Sequence, residues 1–342
     1  MIRVDYAGAG GSCLGIKSLG LKVVGVEMDK WSCQTRASNN MPTVVADLSV
    51  ETISGEQFAG YWASPPCQTF SNAGAGEGLS VKDRLFSAIQ DSEWGAINSF
   101  DSKTKHVAIA ARTAITGDFG WVVMEQVPSV LPAWEAIGRD LQTRGYSVWS
   151  GLLNAADFGV PQNRRRAFLL ASATKHVVPP TPTHAAASAN SDLPLHVSWG
   201  EALGLGQNGA DFSVREGLVK LQRDRVNRPV VAQPLPNTDG ADSMWWLDRR
   251  QRSKGKWARL IPSCEPSPTV TAVAVSKSQW IIRDGKLPST GDPRYKLGVK
   301  GAKVLQGFPE NYGLCGPISA QLQQIGNAVP PILAAKCVEA VK

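Results

Sequence analysis

Apolar positions in the first third of the chain fall into short runs, separated by polar turns and by stretches at helical spacing. Residues 2–7 read as a strand followed by a glycine turn, and residues 13–19 as the start of a helix. Residues 22–27, 43–47, 60–64 and 121–125 repeat the strand pattern, and 167–171 adds a further apolar run. Residues 106–115, apolar at helical spacing, lie between the fourth and fifth of these strands. Strands of this length alternating with helical segments predict an α/β fold with a doubly wound, mostly parallel, Rossmann-like sheet. Ligands of such sheets sit at the carboxyl ends of the strands.

The texture changes after Ser172. Residues 178–183 are rich in proline and threonine, and the stretch to Asn190 is dominated by alanine and serine, which marks a linker. From there to Gln321 the pattern is irregular, with many prolines and basic residues, and predicts a smaller, loop-rich domain. Residues 321–341 return to helical patterning. The expected division is 1–172 plus 322–342 for the large domain and 173–321 for the small one.

A chain of 342 residues suits about two domains. With 43% hydrophobic and 19% charged residues it is an ordinary globular chain. No apolar run approaches the roughly 18 residues of a membrane span, and the first residues lack a signal-peptide pattern. Six irregularly spaced cysteines suggest neither a disulfide framework nor a zinc site. The expectation is a cytoplasmic protein without a metal or a membrane contact, and a monomer by default. Charge adds the next constraint. Segment 173–321 holds 19 Lys and Arg against 12 Asp and Glu, so its excess of seven equals the net +7 of the whole chain. A polyanionic partner or a merely solvated basic surface fits that excess about equally.

Gly8, Gly10 and Gly11 follow the first strand and precede a helix, where backbone N–H groups come close to a ligand. Glu27 ends the second strand and Asp47 the third; acids there suit the ribose hydroxyls and the amino group of an adenosine-type cofactor. Two ordinary surface acids would look the same. Ser64-Pro65-Pro66-Cys67-Gln68 follows the fourth strand, and its prolines end the sheet and present Cys67 at the same edge. A cysteine so placed suits a nucleophile, although most free cysteines are small core residues. Gly74, Gly76 and Gly78 then supply a flexible loop beside it.

With these residues in place the chain resembles the bacterial and phage-type DNA cytosine-5 methyltransferases. Pro65-Pro66-Cys67-Gln68, with Phe70-Ser71 behind it, resembles that family's catalytic motif, and Tyr6-Ala7-Gly8-Ala9-Gly10-Gly11 its cofactor loop. Met124-Glu125-Gln126-Val127 resembles its Glu-Asn-Val motif, and Gln162-Asn163-Arg164-Arg165-Arg166 its Gln-x-Arg-x-Arg motif. Leu305-Gln306-Gly307-Phe308-Pro309 resembles the end of its small domain, and residues 324–331 its closing cofactor motif. Each motif alone is weak or moderate. Six in the right order are strong.

The resemblance implies a DNA (cytosine-5)-methyltransferase with S-adenosylmethionine as methyl donor and double-stranded DNA as substrate. Cys67 would attack carbon 6 of a flipped-out cytosine, Glu125 would hold ring nitrogen 3, Arg166 would hold the base carbonyl, and Arg164 would contact phosphate or the catalytic loop. The cofactor would lie against Tyr6, Ala7, Gly8, Ala9, Gly10, Gly11, Glu27, Met28, Asp47, Leu48, Pro66, Asn327, Ala328 and Val329. Segment 173–321 would be the target recognition domain. Its candidate DNA contacts are Arg249, Arg250, Arg252, Lys254, Lys256, Thr269 and Thr271, with Gln68, Ser71 and Arg84 near the catalytic loop. A cognate restriction endonuclease is the partner such an enzyme would have in a restriction-modification system.

The chain departs from the family in three places. Asp5 directly precedes Tyr6, whereas the usual acid stands two residues before that aromatic. Gln126 replaces an asparagine, and Lys300-Gly301 stands where an acidic residue is usual. An RNA cytosine-5 methyltransferase on the same scaffold is the nearest alternative. A nicotinamide oxidoreductase leaves Cys67, Glu125 and the arginines unexplained, and a silent DNA-binding module leaves Cys67 and Glu125 unexplained.

Overall fold

Apolar runs that alternate with helices bury both faces of a strand, and the first five strands pair accordingly. They are β1 (Ile2–Asp5), β2 (Val23–Glu27), β3 (Thr43–Val45), β4 (Gly60–Ala63) and β5 (Trp121–Gln126). Every residue of β1, β4 and β5 is buried, including the charged Arg3, Asp5 and Glu125. The computed structural model describes residues 1–51, 53, 57–66, 104–204, 218–220, 244–248, 259–271, 279–283 and 295–342. Three further strands follow: β6 (Ser147–Asn154), β7 (Gln162–Asn163) and β8 (Arg165–Ser172). The main sheet has the order β3-β2-β1-β4-β5-β8-β6. Its first five strands are parallel, and β8 runs antiparallel between β5 and β6. The strand order reverses between β1 and β4, and a ligand crevice opens beyond the strand ends at such a point.

Helices α1 (Gly11–Ser18), α2 (Lys30–Ser38), α3 (Thr104–Thr116) and α4 (Leu131–Thr143) belong to the same unit. Helix α2 starts where the Asp29 carboxylate accepts from the Ser32 amide at 2.8 Å, which satisfies one of the open donors of its first turn. The core joins Val26, Tyr61, Ile109, Val122, Met124, Trp134, Ile137 and Leu169. Helix α8 (Pro331–Val341) packs on α1, β5 and β8. Its seat on α1 depends on Gly15: a Cβ there would lie 2.4 Å from the Pro331 carbonyl and 2.8 Å from the Ala334 Cβ. Gly15→Ala is therefore expected to destabilise this unit by about 1–3 kcal/mol through overpacking. Denaturant unfolding measures it, and wild-type stability in the variant would mean that α8 does not seat on α1 in this way.

The chain divides into two compact units. One comprises residues 1–154, 165–181 and 331–342, and the other residues 155–164 and 182–330. The sequence pattern puts the breaks at 172/173 and 321/322, and three segments differ from it: 173–181, which stays with the first unit, 155–164 and 322–330. Residues 155–164 fold with the second unit because Gln162 and Asn163 pair with β12 (Ser267–Pro268). Residues 322–330 do so because Leu322 and Ile325 share a core with Trp199, Val270, Leu297 and Leu305.

The second unit also contains a sheet that the sequence did not announce. Strands β11 (Arg259–Pro262), β10 (Met244–Asp248), β13 (Gln279–Arg283), β14 (Tyr295–Leu297) and β9 (Leu218–Lys220) lie in that order, all antiparallel. Helices α5 (Trp199–Ala202), α6 (Val299–Leu305) and α7 (Ile318–Asn327) accompany it. The expected single helical stretch after Gln321 is two helices, α7 and α8. Ala328 leaves the helical conformation, and Pro330 follows it. No helix among the described residues is long and apolar enough to cross a membrane.

Candidate active site

The loop after β1 turns through three left-handed residues, Tyr6 (φ 56°), Gly8 (φ 52°) and Gly10 (φ 95°). Glycine takes this conformation freely, whereas in Tyr6 it costs about 1–2 kcal/mol. Two contacts hold Tyr6: its hydroxyl donates to the His106 carbonyl at 3.2 Å, and its ring meets the His106 ring edge-on at 5.4 Å. Burial pushes the Tyr6 phenol well up, so it stays neutral. Space is open above Gly8, where a Cβ would meet no atom within 4 Å.

Glu27 ends β2 beside this loop. One carboxylate oxygen accepts from the Gly8 amide at 2.7 Å, and the other from the Met28 and Asp29 amides at 2.9 and 2.8 Å. Met28 is exposed. Asp47 follows β3, and the Ser49 amide, 2.8 Å from its Oδ1, holds the Asp47 carboxyl below the usual carboxylate range. Leu48 beside it is buried. Tyr6 to Gly11, Glu27, Met28, Asp47 and Leu48 thus lie at the carboxyl ends of three adjacent parallel strands. The donors and acceptors of this edge fit an adenosyl cofactor: acids for hydroxyl and amino groups, open space over a glycine, and a buried His106 Nδ1 with no hydrogen-bond partner among the described residues.

Asp5 takes no part in that edge. It is fully buried between Arg3, whose Nε and Nη2 donate at 2.7 and 2.8 Å, and the Tyr61 hydroxyl at 3.0 Å. Burial pushes the Asp5 carboxyl up, and Arg3 pulls it part of the way back. The residue that departs from the family pattern therefore anchors β1 to β4.

Strand β4 leads through Ser64 and Pro65 to the exposed Pro66, the last described residue before the expected nucleophile. Cys67, Gln68, Ser71, Arg84 and the glycine loop lie outside the described residues, as do Arg249, Arg250, Arg252, Lys254 and Lys256. The backbone that leads to Cys67 is nonetheless tied to β5. The Gln126 amide donates to the Pro65 carbonyl, and its oxygen accepts from the Val127 amide. The longer side chain at this position bridges the two strand ends. Glu125, 5% exposed, lies next to Gln126, and its carboxylate is 3.3 Å from the Arg166 Nε on β8. Glu125 and Arg166, expected to act together, are thus brought together within one unit.

Arg164 belongs to the second unit. It is 1% exposed, and its Nη1 and Nη2 donate to the carbonyls of Val270 (3.4 Å) and Gly326 (3.1 Å). The guanidinium thus holds two backbone carbonyls of its own unit. Gln162 ties the same segments together: its Oε1 accepts from the Val270 amide at 3.0 Å, and its Nε2 donates to the Leu305 carbonyl and the Gln306 Oε1. Gln306 in turn donates to the Ala328 carbonyl. Thr269 donates to the Asn163 carbonyl at 2.7 Å, and Thr271 is half-buried. Asn327 is exposed at the end of α7, while Ala328 and Val329 are buried. His106 does not stand out in the sequence because it opens an apolar helix and belongs to no motif.

The model of a family described as C-5 cytosine-specific DNA methylase matches residues 6–91 and 120–342. The chain belongs to this family. It is a DNA (cytosine-5)-methyltransferase, with DNA as substrate and S-adenosylmethionine as methyl donor. Among relatives of this methyltransferase, type II methyltransferase M.AplI of Arthrospira platensis is 26% identical over 98% of this chain and 84% of its own length. Type II methyltransferase M1.HphI of Haemophilus parahaemolyticus is also 26% identical, over 98% and 85%. DNA (cytosine-5)-methyltransferase 1B of rice is 28% identical over 56% of this chain, and the match spans 16% of that longer protein. Among solved structures, Schizosaccharomyces pombe Dnmt2 methyltransferase superposes with a TM-score of 0.62 at 13% identity, over 99% of this chain and 97% of its own. A putative DNA modification methyltransferase encoded within an Escherichia coli prophage gives a TM-score of 0.57 at 16% identity, over 99% and 97%. At these identities the two structures speak for the methyltransferase fold alone.

Proposed function

We propose that this methyltransferase flips a cytosine out of duplex DNA and methylates carbon 5 through a covalent adduct at Cys67. The observation that carries the reading is the coupling of β4 to β5: Gln126 holds the Pro65 carbonyl while the adjacent Glu125 faces Arg166. The Cys67 thiolate adds to carbon 6 of the base. Glu125 hydrogen-bonds ring nitrogen 3, which draws electron density from carbon 6, and Arg166 orients both the carboxylate and the base carbonyl. S-adenosylmethionine, when bound, supplies an electrophilic methyl group to carbon 5. Loss of the carbon 5 proton to water then lets the C–S bond break and frees the thiolate. Tyr6, Gly8, Glu27, Met28, Asp47 and Leu48 hold the cofactor. The second unit reads the target sequence, supported by the basic excess of segment 173–321. On this reading the enzyme is a cytoplasmic monomer, either paired with a cognate restriction endonuclease or acting as a solitary or phage-borne enzyme.

The deciding experiment is transfer of labelled methyl from S-adenosylmethionine to unmodified duplex DNA, beside structured RNA of the same sequence. Label in 5-methylcytosine of DNA alone is the expected result. Label in RNA alone would overturn the choice of duplex DNA.

A further inference from the structure

His106 opens helix α3 and lies against the cofactor edge without belonging to any motif. Its ring packs edge-on against Tyr6, its carbonyl takes the Tyr6 hydroxyl, and its Nδ1 is buried without a hydrogen-bond partner among the described residues. A buried imidazole nitrogen normally finds a partner, because burial strips away the water that would otherwise bond to it. The His106 ring touches Tyr6, and the charges of Asp47 and Lys105 act on it; Tyr6 and Asp47 are both assigned above to the cofactor. The orphan nitrogen therefore sits among residues that meet a ligand.

We propose that His106 is a cofactor-reading residue whose neutral imidazole accepts, at Nδ1, a hydrogen bond from the adenosyl group of the methyl donor. The inference rests on the assignment of Tyr6 and Asp47 to that cofactor. It adds a titratable group to donor binding. Among the described residues, the charged groups acting on His106 are Lys105 on its own helix and Asp47 beyond β3; the Tyr6 phenol in contact with it is neutral. Burial keeps the His106 imidazole below the ordinary histidine value, Asp47 opposes this, and Lys105 adds to it. The neutral form is thus the resident one at neutral pH.

Only neutral His106 has a free acceptor at Nδ1, so binding of the adenosyl group competes with protonation. Affinity is level above neutrality. It falls by up to about tenfold per pH unit once the pH drops through the lowered histidine range. S-adenosylmethionine and S-adenosylhomocysteine share the adenosyl group and differ in the sulfonium charge, so both are expected to weaken alike.

The experiment is calorimetric titration of the full chain with each ligand between about pH 5.5 and 8.5, across the histidine range, for wild type, His106→Asn, His106→Leu and Glu27→Ala. His106→Asn offers an amide oxygen where Nδ1 stood, and is expected to bind like wild type at the alkaline end with the histidine-range fall removed. His106→Leu is expected to bind both ligands roughly 3–10-fold more weakly there, with the same fall removed. Wild-type affinity and pH profile in both His106 variants, with Glu27→Ala impaired, would overturn the role of His106 and leave the cofactor site standing. A fall for S-adenosylmethionine alone would replace the hydrogen bond by charge repulsion and overturn the proposal. Failure of wild type to bind either ligand would overturn the site itself. Thermal melts of the variants separate lost binding from lost folding.

Discussion

Cys67→Ser is expected to leave no measurable methyl transfer to duplex DNA, and Glu125→Gln to slow transfer by about 10²–10⁴-fold while DNA is still bound. The two losses have different origins. A serine hydroxyl in place of the Cys67 thiol would need a strong base to become a nucleophile, whereas a thiol ionises near neutrality. The amide that replaces the Glu125 carboxyl would still reach the base but could not donate an acidic proton to ring nitrogen 3. Arg166, at 3.3 Å, would lose its carboxylate partner and a fixed orientation with it. Single-turnover transfer with enzyme in excess measures both variants, and binding to DNA by anisotropy separates chemistry from affinity. If Glu125→Gln kept wild-type single-turnover rates, the carboxylate would be a partner for Arg166 and nothing more.

The second large effect falls on stability. Arg164→Ala is expected to cost the second unit about 2–6 kcal/mol, at about 1–3 kcal/mol for each of the two buried carbonyls it would leave without a donor. Lysine at this position should recover little, because one ammonium group does not span two carbonyls held by separate arms of a guanidinium. Denaturant unfolding gives the loss. The salt dependence of DNA binding gives the discriminating result: the slope of log affinity against log salt should not change for a buried clamp. A phosphate contact would reduce the slope by about 0.9.

Much of the large sheet was legible because its strands are buried on both faces and bounded by glycines and prolines. Strand β6 was not, since its residues are mostly half-buried at the sheet edge and mix serine and glycine with apolar side chains. The five-stranded sheet of the second unit was hidden for another reason: its strands are short and far apart in sequence, so no local period announces their pairing. At the site, residue type singled out Glu125, Arg164 and Arg166, but it did not show that Arg164 is buried. Three adjacent arginines look like a cationic patch, and the burial that makes one of them a clamp depends on Val270 and Gly326, more than 100 positions away. His106 was silent because a lone histidine in an apolar helix looks like filler until its neighbours are known.

The seat of α8 on α1 also sets an order of assembly. Residues 331–342 must close on a helix made some 300 positions earlier, with the whole second unit emerging from the ribosome in between. Contacts of such long span form late and slow the final step. A chain halted anywhere before Pro331 would carry the loop after β1 and the strand β4 on a sheet with an uncovered apolar flank. Such a truncated product is marked for aggregation or proteolysis rather than for premature methylation.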